Sequence, residues 1–224
     1  MLELLLPKKT EPLHLLCIGA HADDLEIGCG GSLLKLLQNY QVEVHWVVLG
    51  CNTVRSEEAR NSAEVLLEKA LRTEIEIHNF RDGFFPYVGG EVKEVFESLK
   101  TEVNPDLVFT HSRNDLHQDH RLVNELTWNT FRDHLILEYE VPKYDGDLGS
   151  PNLFFEIDGS TCLAKIEHLL KFFPSQREKH WFDEETFRGL MRLRGVEAGC
   201  QYAEAFYCRK SIIGVGDRRR KDQS

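Results

Sequence analysis

Short, nearly continuous apolar runs alternate with stretches of helical periodicity along most of this chain, and that alternation restricts its fold more than any other feature. Leu13-His14-Leu15-Leu16-Cys17-Ile18-Gly19-Ala20 is apolar enough for a strand buried on both faces, and Val42-Glu43-Val44-His45-Trp46-Val47-Val48-Leu49 reads as a β-rich strand ended by Gly50. Between them, Ser32 to Tyr40 carries Leu33, Leu34, Leu36 and Leu37 as a helical stripe. Ser56, followed by Glu57 and Glu58, opens a second helix through Ala70, its acidic first turn suited to the helix dipole. The pattern then repeats: a strand from Glu74 to Phe80, a helix from Glu91 to Glu102, a strand from Pro105 to Thr110, a helix from Gln118 to Arg132 and a strand from Leu135 to Tyr139. After a polar, glycine-containing loop between Pro142 and Pro151 come a strand (Asn152 to Ile157), helices (Thr161 to Phe172, Glu184 to Arg194) and a final strand (Tyr202 to Cys208). Strands alternating with helices of this length imply right-handed crossovers and an α/β fold of three αβα layers around a mostly parallel sheet.

At 224 residues the chain is long enough for one sizeable core. We read residues 1–210 as a single domain and residues 211–224, with the basic run Arg218-Arg219-Arg220-Lys221, as a polar, solvated tail. A formal charge of −10 argues against a nucleic-acid partner, because phosphate binding needs a basic surface. No stretch reaches the length of a membrane span, and the start, MLELLLPKKTEP, lacks the charged n-region and cleavage site of a secretory signal. Six cysteines without C-x-x-C pairs form neither a zinc ribbon nor a disulfide framework, which points to a reduced, cytoplasmic setting. No apolar stripe is surplus to the core, so the sequence does not choose between a monomer and a homo-oligomer.

In an open parallel sheet, ligands bind beyond the carboxyl ends of the strands. Two clusters fall there: Ala20-His21-Ala22-Asp23-Asp24-Leu25-Glu26, and His111 through His120 with Asp115, His117 and Asp119. His21 and Asp24 can converge in a turn, and His117 and His120 share one helix face. Two imidazoles and a carboxylate with an open position suit a catalytic zinc site, although iron or cobalt fits the same donors. Taken singly, His111 reads as a hydrogen-bonded loop residue, and Asp23-Asp24 could cap a helix. Two such clusters at equivalent strand ends favour the metal reading.

Ala20-His21-Ala22-Asp23-Asp24 resembles the A-H-P-D-D signature of the PIG-L/LmbE-like zinc-dependent deacetylases, with Ala22 where that family usually has Pro. His117-Gln118-Asp119-His120 is similar to its H-x-D-H signature. Ser175-Gln176 and Ala203-Glu204-Ala205-Phe206 are weaker matches in the right order, with Phe173 and Pro174 where the family has His before Ser-Gln. The resemblance spans residues about 13 to 210 and implies a Rossmann-like (LmbE-like) fold and hydrolysis of an N-acetyl group, usually on an N-acetylglucosamine unit. It implies one zinc per chain on His21, Asp24 and His120, Asp23 as general base, His117 as general acid, and Asp119 orienting and charging the His117 ring. Arg55 and Asp82 resemble substrate-binding positions; otherwise Arg55 pairs with Glu57 or Glu58 at the surface, and Asp82-Gly83 is simply a turn. The loop from Tyr144 to Ser150 is a candidate rim.

Gly28-Cys29-Gly30-Gly31-Ser32 reads as a glycine-rich turn before a helix, with Gly30 and Gly31 allowing close packing on the sheet rather than holding a phosphate. Two other functions remain compatible with the sequence: an amidase of a larger aminosugar conjugate, and a sugar- or nucleotide-binding module without catalysis.

Overall fold

A computed structural model describes residues 3–6 and 11–214. Strands β1 (Leu13–His21), β2 (Val42–Gly50), β3 (Arg72–Ile77), β4 (Leu107–His111), β5 (Leu135–Tyr139), β6 (Leu153–Ile157) and β7 (Tyr202–Tyr207) form one sheet in the order β3-β2-β1-β4-β5-β7-β6. The pairs joining β1 through β5 are all parallel, while β7 runs antiparallel to both its neighbours.

The period-2 geometry of β1 sends its alternate residues into two cores. Leu15 and Cys17 face a layer made by α1 (Asp24–Asn39), α2 (Thr53–Leu66), α5 (Gly159–Phe172) and α6 (Glu184–Ala198), through Leu33, Ala63, Ile166 and Met191. Leu16 and Ile18 face α3 (Gly89–Glu102) and α4 (Gln118–Thr130), through Phe96 and Val123. This is the three-layer α/β arrangement the alternation implies. The basic run at Arg218–Lys221 lies outside the described residues. No helix among the described residues is long and apolar enough to cross a membrane, and all six cysteines are free thiols.

Two helices start earlier than their sequence suggests. The second begins at Thr53 rather than Ser56, because Asn52 caps it by accepting the Arg55 backbone N–H at 3.0 Å. The first begins at Asp24 rather than Ser32, so the glycine segment lies inside α1 and is no turn. Its glycines make room for side chains from elsewhere. A Cβ on Gly28 would overlap the Tyr139 ring, and one on Gly31 would lie 2.7 Å from Ile157 Cδ1, whereas Gly30 has space. Beside Gly31, the buried Glu204 carboxylate accepts the backbone N–H groups of Gly31 and Ser32 at 2.8 and 2.7 Å. Lys165 completes the insertion, donating to Glu204 and to the Ile27 carbonyl, both at 2.5 Å. The Ala203-Glu204-Ala205-Phe206 motif thus fastens β7 to α1.

Candidate active site

The chain leaves β1 toward β2 on one side and later returns to β4 on the other, so a crevice opens where these two parallel neighbours end. His21 is the last residue of β1 and His111 the last of β4. Asp23 follows His21 with a φ of 86°, the one positive φ outside glycine among the described residues. Holding a non-glycine residue there costs about 1–3 kcal/mol. It turns the chain sharply enough for Asp24 to open α1 and for its Oδ2 to accept the His21 backbone N–H at 2.7 Å. Across the crevice, His117 caps α4 and His120 lies in its first turn.

Three donor atoms meet at this point. His21 Nδ1 lies 3.2 Å from His120 Nε2, and Asp24 Oδ2 is 3.5 Å from each. Four ligands about a tetrahedral ion, with bonds of about 2.0–2.1 Å, stand about 3.4 Å apart, so the separations suit one ion. The outer hydrogen bonds agree. His21 Nε2 lies 3.1 Å from Asp119 Oδ2, and His120 Nδ1 lies 2.8 Å from Asp115 Oδ2. Each carboxylate takes one N–H of its ring and so turns the other nitrogen, a ligand atom whenever the ring is neutral, toward its counterpart. Two further triplets have ligand atoms within 4.8 Å of one another: His21, His117 and His120, and Asp24, His111 and His120.

Asp119 sits differently from expectation. Its carboxylate is fully buried and held by the Gly83 and Phe85 backbone N–H groups at 2.6 and 3.1 Å, facing His21. What Asp119 gives His117 is its backbone N–H, 3.3 Å from Nδ1. Burial and the charge of His21 hold His117 below an ordinary imidazole, with Asp119, Asp24 and Asp82 pulling the other way. The His117 Nε2 points to the crevice mouth, 3.7 Å from Asp82 Oδ1. Asp82 is mostly exposed, lies 3.1 Å from His21 Nε2 and is lowered to about 2 by that hydrogen bond. It also forms the turn that Asp-Gly favours, with Gly83 at a φ of 80°.

Arg55 is not at the surface with Glu57 or Glu58. Its guanidinium donates to Asp23 Oδ1 at 2.8 Å and to the Ala22 carbonyl, while Glu58 accepts from the Ser175 N–H and hydroxyl at 2.9 and 2.5 Å. Burial pushes the Asp23 carboxyl up to about 7, against the pull of Arg55 and with the help of the Asp24 charge. Asp24 is held well below the carboxylate range, as His120 and His111 outweigh its burial.

Four residues to which the sequence assigns no catalytic or ligand role also take part here. His111, fully buried, accepts the Ala20 N–H at 2.8 Å and stacks on His120 with ring centroids 3.8 Å apart. Asp115 is bonded to Lys143 Nζ at 2.9 Å, and Lys143 to Asp147 at 2.6 Å, which ties the rim loop to the back of His120. His111 and Asp115 stand in the second sequence cluster, where His111 taken singly reads as a hydrogen-bonded loop residue, and Asp147 lies in the candidate rim loop; Lys143 carries no local signal.

The sequence profile of the PIG-L family, described as GlcNAc-PI de-N-acetylase, matches residues 16–131, just over half of the chain and both halves of this crevice. The chain belongs to the PIG-L family. Among its relatives, the uncharacterized deacetylase YaiS of Escherichia coli K12 is 31% identical over 151 residues, 62% of this chain and 79% of that protein. The N,N'-diacetylchitobiose deacetylase of Pyrococcus horikoshii superposes with a TM-score of 0.63 at 23% identity, over 87% of this chain and 83% of that one. GalB, a 4-carboxy-2-hydroxymuconate hydratase from Pseudomonas putida, superposes with a TM-score of 0.67 at 18% identity, over 92% and 100%. A PIG-L scaffold therefore fixes the crevice, and the groups that line it decide the reaction.

Proposed function

We propose that this protein is a metal-dependent N-deacetylase of an N-acetylglucosamine-type sugar or sugar conjugate, acting in the cytoplasm. The observation that carries the reading is the meeting of His21 Nδ1, His120 Nε2 and Asp24 Oδ2 within 3.5 Å of one another, beside a buried Asp23. Membership of the PIG-L family supports it. His21, Asp24 and His120 hold the metal, zinc being the best match and iron or cobalt fitting the same donors. A bound ion of this kind acidifies water and polarises an amide carbonyl.

The remaining chemistry belongs to the chain. Asp23, fixed by Arg55, takes the proton of the attacking water, and its elevated pKa suits a base working near neutrality. His117 accepts the Asp119 N–H at Nδ1, which leaves the Nε2 proton facing the crevice to steady the developing oxyanion and then reach the leaving amine. Asp119 acts on His21, fixing its tautomer. At the mouth, Asp82 offers an acceptor for a sugar hydroxyl, while Arg55 shapes the site through Asp23.

The test combines metal content with amine release from N-acetylglucosaminides. Asp24→Ala should lose the metal, and Asp23→Asn should keep it while turnover falls about 10²–10⁴-fold. His117→Ala should also keep it with a strongly reduced rate. Normal turnover by Asp23→Asn would remove the base assignment, and metal loss in His117→Ala would move His117 among the ligands.

A further inference from the structure

A second cluster of metal-ligating side chains lies on the other half of the sheet. His45 pairs directly with Glu74 across β2 and β3, so both side chains leave the same face, and Glu76, two residues on, shares it. This is the face that α3 and α4 cover further in, where Val47 and Leu49 enter their core. The cover stops short of β3. Glu74 and Glu76 are partly exposed there, yet His45 stays buried, with 8% of its side chain accessible. Its Nε2 contacts Glu76 Oε1, its Nδ1 lies 3.8 Å from Glu74 Oε2, and His78 Nε2 holds the other Glu76 oxygen at 3.3 Å. One donor atom each from His45, Glu74 and Glu76 fall within 4.8 Å of one another.

A groove of about 380 Å³ opens beside the cluster, lined by Glu43, Glu74 and Glu102 with His14, His45 and Arg72. Among the described residues, the one fixed cation paired with the cluster is Arg72, 3.8 Å from Glu74 and largely exposed. His45 also pairs in register with Leu16, five residues before His21, which at about 3.3 Å per residue puts it roughly 16 Å from the crevice. The two sites are therefore separate.

We propose that His45, Glu74 and Glu76 form a second divalent-cation site, which clamps the edge strand β3 to β2. One imidazole with two carboxylates is a donor set for zinc or another first-row divalent ion. All three residues stand on strands, which preorganises them better than loops would. His78 orients the Glu76 carboxylate from behind, and the groove gives an ion its path in.

The test is equilibrium dialysis against zinc ions followed by elemental analysis, with far-UV circular dichroism to confirm folding of each variant. The wild type should bind about two equivalents, Asp24→Ala about one, and Asp24→Ala combined with Glu76→Gln about none. Zinc should raise the unfolding temperature of Asp24→Ala, and adding Glu76→Gln should abolish the rise. His45→Gln gives the same reading where Glu76→Gln does not fold. A wild type with one equivalent that survives Glu76→Gln or His45→Gln would overturn the proposal, as would a second equivalent that survives both, which would be adsorption to surface carboxylates. Failure of the crevice assignment looks different: Asp24→Ala would then keep everything the wild type binds.

Discussion

His168, on α5, shows how burial of one side chain sets a pH dependence for the fold. Its Nε2 lies 2.8 Å from Ser62 Oγ, which in turn donates to Glu26 at 2.5 Å. Burial lowers the imidazole to about 4, with the Lys171 charge adding to the effect. In the unfolded chain the ring titrates at about 6.5. Between these values the folded state binds fewer protons than the unfolded one, so the contribution of His168 is complete above about pH 6.5 and is lost as pH falls toward 4. His168→Gln keeps a partner for Ser62 and removes the titration. The unfolding temperature of this variant should drop less steeply than that of the wild type between about pH 7 and 4.5. Equal slopes would show that His168 takes up its proton in the native state as readily as in the unfolded chain.

At the scale of elements, α1 depends on a buried ion pair that its own sequence does not reveal. Lys165 and Glu204 are both nearly inaccessible and lie 2.5 Å apart, with Glu204 on two α1 amides. Removing one partner of such a pair costs about 3–5 kcal/mol, because the other stays buried and uncompensated. Lys165→Met should therefore lose about that much in urea unfolding, while a loss below about 1 kcal/mol would mean that water reaches Glu204. The same pair explains why part of the fold was hidden. Strand positions were legible, since Val42–Gly50 and Leu135–Tyr139 announce themselves as short, mostly apolar, β-rich runs. The start of α1 was not, because glycines at 28, 30 and 31 read locally as a turn, and their reason lies in Tyr139, Ile157 and Glu204, distant in sequence. The crevice divides in the same way. His21, Asp23, Asp24, His117 and His120 stand in two short motifs, whereas His111, Lys143 and Asp147 reach the site only through strand pairing and a loop.

For the whole molecule, the sheet is one wall shared by two cores, with β1 sending side chains into both. Trp46 is buried in one core, and Trp128 packs against the other. We expect a single cooperative unfolding transition in which far-UV circular dichroism agrees with fluorescence, in the wild type and in a Trp128→Phe variant. Two separated midpoints would mean that the layers open independently. The position of β7 has a consequence for how the protein is made. Of the described strands β7 is the latest in sequence, yet it lies inside the sheet, between β5 and β6. While a ribosome is still upstream of Tyr202, β5 is an open edge, β6 has no neighbour in the sheet and the α1 amides lack Glu204. The nascent chain must therefore wait in an aggregation-prone form, and messages cut short before this strand should yield insoluble protein rather than a soluble, inactive one.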